Sequence, residues 1–138
     1  MKALIIEDDS GVCAAVRAVI TAYEITAAET MDVAISTLQN DTFDIVFLDL
    51  ALPDSTVEKT LQLIPLLRRL AGNAGIILMT GFHAEIGNAV KAVDAMLLKP
   101  FASRHIREAV DAAERSRVRT KCATGDTVNA CRAMLAFS

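Results

Sequence analysis

Tryptophan is absent from this 138-residue chain, tyrosine occurs once, and aromatic residues make up only 4%. A surface that stacks nucleic-acid bases needs more rings than that, and no sustained basic stripe compensates, because the formal net charge is −3. Direct nucleic-acid binding is not expected. Cysteine is scarce too: Cys13, Cys122 and Cys131 are odd in number and lack C-x-x-C spacing, which points to neither a disulfide framework nor a zinc site. No apolar run approaches the ~18 residues of a membrane span. The start, Met1-Lys2-Ala3-Leu4-Ile5-Ile6-Glu7, reaches acid too soon for a signal peptide, so a cytoplasmic protein with no membrane segment is expected.

Apolar residues, by contrast, are plentiful: 53% of the chain is hydrophobic against 22% charged. That suffices for one domain with a full core, and the length is too short for two ordinary ones. Charge is unevenly spread. Residues 1–101 hold 7 basic and 13 acidic side chains, and residues 102–138 hold 7 and 4.

The apolar residues come in short runs that stop abruptly. Ile45-Val46-Phe47-Leu48 is too short for an ordinary helix, reads as a strand buried on both faces, and ends at Asp49. Ala3-Leu4-Ile5-Ile6 ends in Glu7-Asp8-Asp9, Ile76-Ile77-Leu78-Met79 stops at Thr80, and Met96-Leu97-Leu98 delivers Lys99. Residues 24–28 are a weaker fifth strand. Between the strands, apolar residues recur at helical spacing. One helix follows Ser10 as N-cap, one follows Thr30, and one follows Ser55, whose spacing to Glu58 is that of a capping box. Pro65 lies inside that third pattern and predicts a kink or a later start. A further helix is expected over about 84–93 and a last one from about Ser103.

Five short strands alternating with helices make an α/β fold, a doubly wound parallel sheet with right-handed crossovers. In such a sheet all carboxyl ends of the strands open on one edge, where ligands bind. Glu7, Asp8, Asp49, Thr80 and Lys99 should therefore share one crevice. Clustered carboxylates repel by about 4 kcal/mol per pair at 4 Å for an effective dielectric near 20, so they call for cations. Magnesium suits hard oxygen ligands, and Lys99 adds a fixed positive charge. Together these groups have the parts for phosphoryl transfer: Asp49 as nucleophile, Glu7 and Asp8 for the metal, Thr80 and Lys99 for the phosphoryl oxygens.

Leu4-Ile5-Ile6-Glu7-Asp8-Asp9, Phe47-Leu48-Asp49-Leu50-Ala51-Leu52-Pro53-Asp54, Met79-Thr80-Gly81 and Leu97-Leu98-Lys99-Pro100-Phe101, in this order and with strand-helix spacing between them, resemble a response regulator receiver domain. The resemblance implies a flavodoxin-like fold with strand order 2-1-3-4-5. It also implies phosphorylation of Asp49 by a histidine kinase or phosphotransfer protein, and Mg2+ held by Glu7, Asp8, Asp49 and the Ala51 main-chain carbonyl. A cis Lys99-Pro100 peptide and signalling to a downstream protein, through the face of the 84–93 helix, the fifth strand and the last helix, complete the expectation.

Some positions depart from the family. Met96 stands where a switch aromatic is usual, Val57 where a glycine is usual, and Ala51 and Phe82 where side chains help to place the water that hydrolyses phosphoaspartate. A long-lived phosphoryl group is expected. Residues 1–117 are assigned to the receiver and 118–138 to an extension, with a short helix after Asp126 or Thr127 that packs back or joins a homodimer or partner. Arg115, Arg117, Arg119 and Lys121 read as a solvated helix end, His83 and His105 as surface groups, and Asp9 as a solvated acid. The unit is read as a stand-alone receiver, not an enzyme beyond its own phosphorylation and slow dephosphorylation. Its rivals are a receiver-like interaction module that works without phosphate and a magnesium-dependent phosphohydrolase. The second usually carries Asp-x-Asp on its first strand, which this chain lacks.

Overall fold

The computed structural model describes residues 1–81 and 87–124, with the backbone alone at 88–90 and 118–124. The elements run β1 (Lys2–Ile6), α1 (Ser10–Val19), β2 (Glu24–Ala28), α2 (Met31–Asn40), β3 (Ile45–Asp49), α3 (Val57–Ala71), β4 (Gly75–Thr80), a 3-10 segment (Gly87–Ala92), β5 (Ala95–Leu98) and α4 (Ser103–Thr124). All strand pairs are parallel and the order is β2-β1-β3-β4-β5, as expected.

Strand side chains alternate between two apolar layers, which is why the central runs are apolar throughout. Leu4, Ile6, Val46, Leu48, Ile76 and Leu78 pack with Met31, Ala34 and Leu38 of α2 and Ile64 and Leu67 of α3. Ala3, Ile5, Ile45, Phe47, Ile77 and Met79 face the other way, onto Val16 of α1 and Ile106, Ala109, Val110 and Ala113 of α4. Met96 is partly buried against the first layer.

Two helix starts differ in detail from expectation. Asp9, not Ser10, caps α1, accepting from the amides of Gly11 at 2.8 Å and Val12 at 3.3 Å. A carboxylate there also meets the positive end of the helix dipole, so Asp9 is a structural acid and not merely a solvated one. Thr56, not Ser55, caps α3 through the Lys59 amide at 3.0 Å, while Ser55 accepts from the Thr60 hydroxyl at 2.9 Å. Helix α3 runs through Pro65, which lies on its exposed side, where the Leu61 carbonyl it leaves unpaired can meet water. Of the helix expected over 84–93, the described part is the 3-10 segment, whose first residue, Gly87, has φ 46°.

Helix α4 continues to Thr124 and is fastened at the amino edge of the sheet. Asp94 accepts from Arg68 and from the Ile76 amide, both at 2.7 Å, and from the Ser116 hydroxyl. Arg117, expected in solvent, pairs with Asp44 at 2.5 Å, and Asp44 also accepts from the Lys2 amide. Gly75 permits a close approach, since a Cβ there would lie 2.8 Å from Ala113 Cβ and 2.9 Å from its carbonyl oxygen. The short helix expected after Asp126 or Thr127, and the side chains of Arg119 and Lys121, lie outside the described residues, as do Phe82 and His83. No helix among the described residues is long and apolar enough to cross a membrane.

Candidate functional site

Parallel pairing delivers the strand ends side by side. Ile6 is in register with Leu48, Asp49 with Met79, and Thr80 with Leu98. Glu7 thus emerges next to Asp49, and Lys99 follows the partner of Thr80. Two backbone bonds extend the sheet into the site: the Glu7 amide donates to the Ala28 carbonyl at 3.0 Å, and the Lys99 amide to the Thr80 carbonyl at 2.9 Å.

Lys99 Nζ joins two acids, 2.9 Å from Glu7 Oε2 and 3.2 Å from Asp49 Oδ1. Asp49 Oδ1 also accepts from the Ala51 amide at 3.2 Å, and Glu7 Oε1 from the Asp9 amide at 3.1 Å. Glu7 is 1% exposed and Asp49 3%. Asp8 is exposed at the rim, yet one carboxylate oxygen from each of Glu7, Asp8 and Asp49 can be chosen so that all lie within 4.8 Å of one another. Thr80 is buried at the end of β4, and the Lys99-Pro100 peptide is cis, as the resemblance implied. Ala51 is exposed, directly after Asp49-Leu50.

Burial pushes the Glu7 carboxyl up to about 7, and the neighbouring Asp49 adds to this while Lys99 opposes it. For Lys99, burial favours the neutral amine, but its bonds and charges shared with Glu7 and Asp49 outweigh burial and raise its pKa. One ammonium thus serves the two buried carboxylates. Two buried acids and an exposed acid at the rim form an all-oxygen donor set, which fits a small hard dication. Asp49 is an anionic oxygen donor with a cation, Lys99 Nζ, already 3.2 Å from its Oδ1.

Sequence reasoning located Glu7, Asp8, Asp49, Thr80 and Lys99, and the structure gathers them at one edge. It missed two supports. Asp9 links Glu7 to the start of α1, and Asp54, in the loop after β3, hydrogen-bonds the start of α2. Cys13 lies near too, its thiol 3.8 Å from the Glu7 carbonyl. His105, expected at the surface, is half-buried and accepts from the Ala102 amide through Nδ1 at 2.9 Å.

The response regulator receiver domain family matches residues 3–111. A two-component response regulator from Clostridium difficile is similar at 25% identity and a TM-score of 0.72, over 83% of this chain and 96% of that one. A CheY-like receiver domain protein from Methanospirillum hungatei JF-1 superposes with a TM-score of 0.74 at 20% identity, over 86% and 97% of the two chains. A response regulator from Burkholderia pseudomallei, solved with a phosphorylated aspartic acid, calcium ion and citrate, gives 0.68 at 21% identity over 98% and 92%. No curated protein matches the chain. With four strand-end motifs, the sheet order and the matched span in agreement, the chain belongs to the response regulator receiver domain family, the receiving partner of two-component signalling.

Proposed function

We propose that this protein accepts a phosphoryl group on Asp49 from a histidine kinase or histidine phosphotransfer protein and passes the signal on through protein contacts in the cytoplasm. The observation that carries this reading is Lys99 Nζ bridging Glu7 and Asp49 at the carboxyl edge of the sheet, within a cluster of three acids. A carboxylate oxygen of Asp49 forms a bond to phosphorus as the donor's phosphorus–nitrogen bond breaks, and the electron pair leaves with the imidazole nitrogen. Lys99 compensates the charge on one phosphoryl oxygen, and Thr80 donates its hydroxyl to another. Glu7, Asp8, Asp49 and the Ala51 carbonyl would hold Mg2+, which when bound supplies further charge compensation.

Residues 1–117 form the receiver unit, and the extension over 118–138 begins as a continuation of α4. Output runs through β5 and α4, whose shared surface holds a cleft of about 570 Å3 lined by Met96, Leu98, His105, Glu108 and Ala112. Leu98 is 42% exposed there, which suits a downstream protein or a second copy of the chain.

Incubation with acetyl phosphate and Mg2+, read by intact mass, should add one phosphoryl group to the wild type and none to Asp49→Asn. An unchanged wild-type mass would favour an interaction module that works without phosphate. The methyl group of Ala51 cannot orient an attacking water, nor can the ring of Phe82, so the purified phosphoprotein should persist without a phosphatase. A half-life of seconds would overturn that expectation.

A further inference from the structure

Asp54 lies outside the acidic cluster, in the loop between β3 and α3, yet it reaches back 23 residues to α2. Its Oδ1 accepts from the Met31 amide at 2.8 Å and its Oδ2 from the Asp32 amide at 3.1 Å. Helix α2 already has its own cap, because Thr30 Oγ1 accepts from the Val33 amide at 3.2 Å. The Asp54 bonds therefore do more than finish a helix end. They tie the loop to α2, and the Met31 amide holds the Asp54 carboxyl below the usual range.

This tether closes a circuit around the site. Asp49 joins Lys99, Lys99 joins Glu7, and the Glu7 amide bonds the Ala28 carbonyl. Three residues on, Met31 bonds Asp54, and the chain from Asp54 back to Asp49 passes through buried Leu52 and through Ala51, whose amide bonds Asp49. The Asp54 bonds set the β3–α3 loop against the start of α2, just past the end of β2. The main chain at Ala51, exposed and without a helix or strand to hold it, takes its position from its two neighbours, Asp49 on one side and the Leu52–Asp54 anchor on the other.

We propose that Asp54 is a positioning residue: by clamping the β3–α3 loop to the start of α2, it holds the Ala51 main chain in place for the metal and orients the Asp49 carboxylate. The metal half of this statement rests on the function proposed above, whereas the clamp itself does not.

The test compares wild type with Asp54→Ala, Asp54→Asn and Thr30→Ala, the last removing a cap from the same helix without touching the loop. Hydrogen exchange at the Ala51 and Ser55 amides reads the clamp with no metal present, and calorimetric titration with Mg2+ reads its effect on the site. Asp54→Ala should speed exchange at Ala51 and weaken Mg2+ binding about tenfold, the lower end for a lost supporting contact. Asp54→Asn, which keeps one acceptor oxygen, should recover part of both, and Thr30→Ala should lower the melting temperature while leaving both near wild type. Equal loss of melting temperature in Asp54→Ala and Thr30→Ala, with loop exchange and Mg2+ affinity unchanged in each, would reduce Asp54 to a second cap and overturn the proposal. If the wild type binds no Mg2+ but Asp54→Ala still frees the Ala51 amide, the clamp stands and the metal reading of the site fails.

Discussion

Replacing Lys99 by alanine would leave the Glu7 and Asp49 carboxylates buried side by side without the cation that now bridges them. Removing one partner of a buried ion pair costs about 3–5 kcal/mol, and Lys99→Ala should fall at the low end, near ~3 kcal/mol in metal-free urea denaturation at pH 8, because Lys99 is partly exposed. The loss has a defined pH dependence. Glu7 has a folded pKa raised to about 7 from 4.5, so its favourable contribution is complete below pH 4.5 and is lost as pH rises through about 7. Below that range Glu7 carries a proton and needs no counter-charge. The gap between wild type and Lys99→Ala should widen from pH 5 to pH 8, and a constant gap would contradict this account. The acids and the lysine were legible in sequence because each interrupts an apolar run. Asp9 and Asp54 were not, since their roles depend on which amides a turn brings within reach.

Among the elements, β4 and α4 approach closely at Gly75. A Gly75→Ala side chain would press on Ala113 Cβ and on the Ala113 backbone, and a helix backbone cannot give way as a flexible side chain can. Overpacking of this kind costs about 1–3 kcal/mol, which equilibrium unfolding would measure, and a neutral outcome would show that α4 can move away. Strands were read from sequence with little error because runs such as Ile45–Leu48 and Ile76–Met79 are apolar on both faces. Helix boundaries were harder to place. Ser10 and Asp9 are both good N-caps, as are Ser55 and Thr56, and propensity alone does not separate neighbours of equal quality. The 3-10 segment was hidden for a different reason: Ala84 to Val93 carries helical spacing, but Gly87 at φ 46° takes a backbone angle that no α-helix interior contains.

For the molecule as a whole, the doubly wound α/β architecture followed from the alternation of short apolar runs with helical patterns. The strand order did not, since nothing in one sequence states which strands are neighbours, and it came from the family resemblance. If the acid cluster binds Mg2+ as proposed, binding is linked to folding. At a concentration 100 times the dissociation constant, the ion should stabilise the native state by about 2.7 kcal/mol. For a domain of this size that corresponds to a rise of roughly 9 °C in melting temperature, reversed by EDTA. The shift should vanish when Asp49 and Asp8 are both replaced by alanine, and its survival in that variant would place the ion elsewhere.

The fastening of α4 has a mechanical consequence. Bonds from Ser116 to Asp94 and from Arg117 to Asp44 pin the rod about two-thirds of the way along, and the bare backbone at Gly75 grazes it only three residues away. A rod held so tightly can pivot about that point but cannot slide along the sheet. If Asp49 is phosphorylated as proposed, a protein docked on α4 should sense a change of tilt or of the outward-facing groups, and not a displacement along the axis.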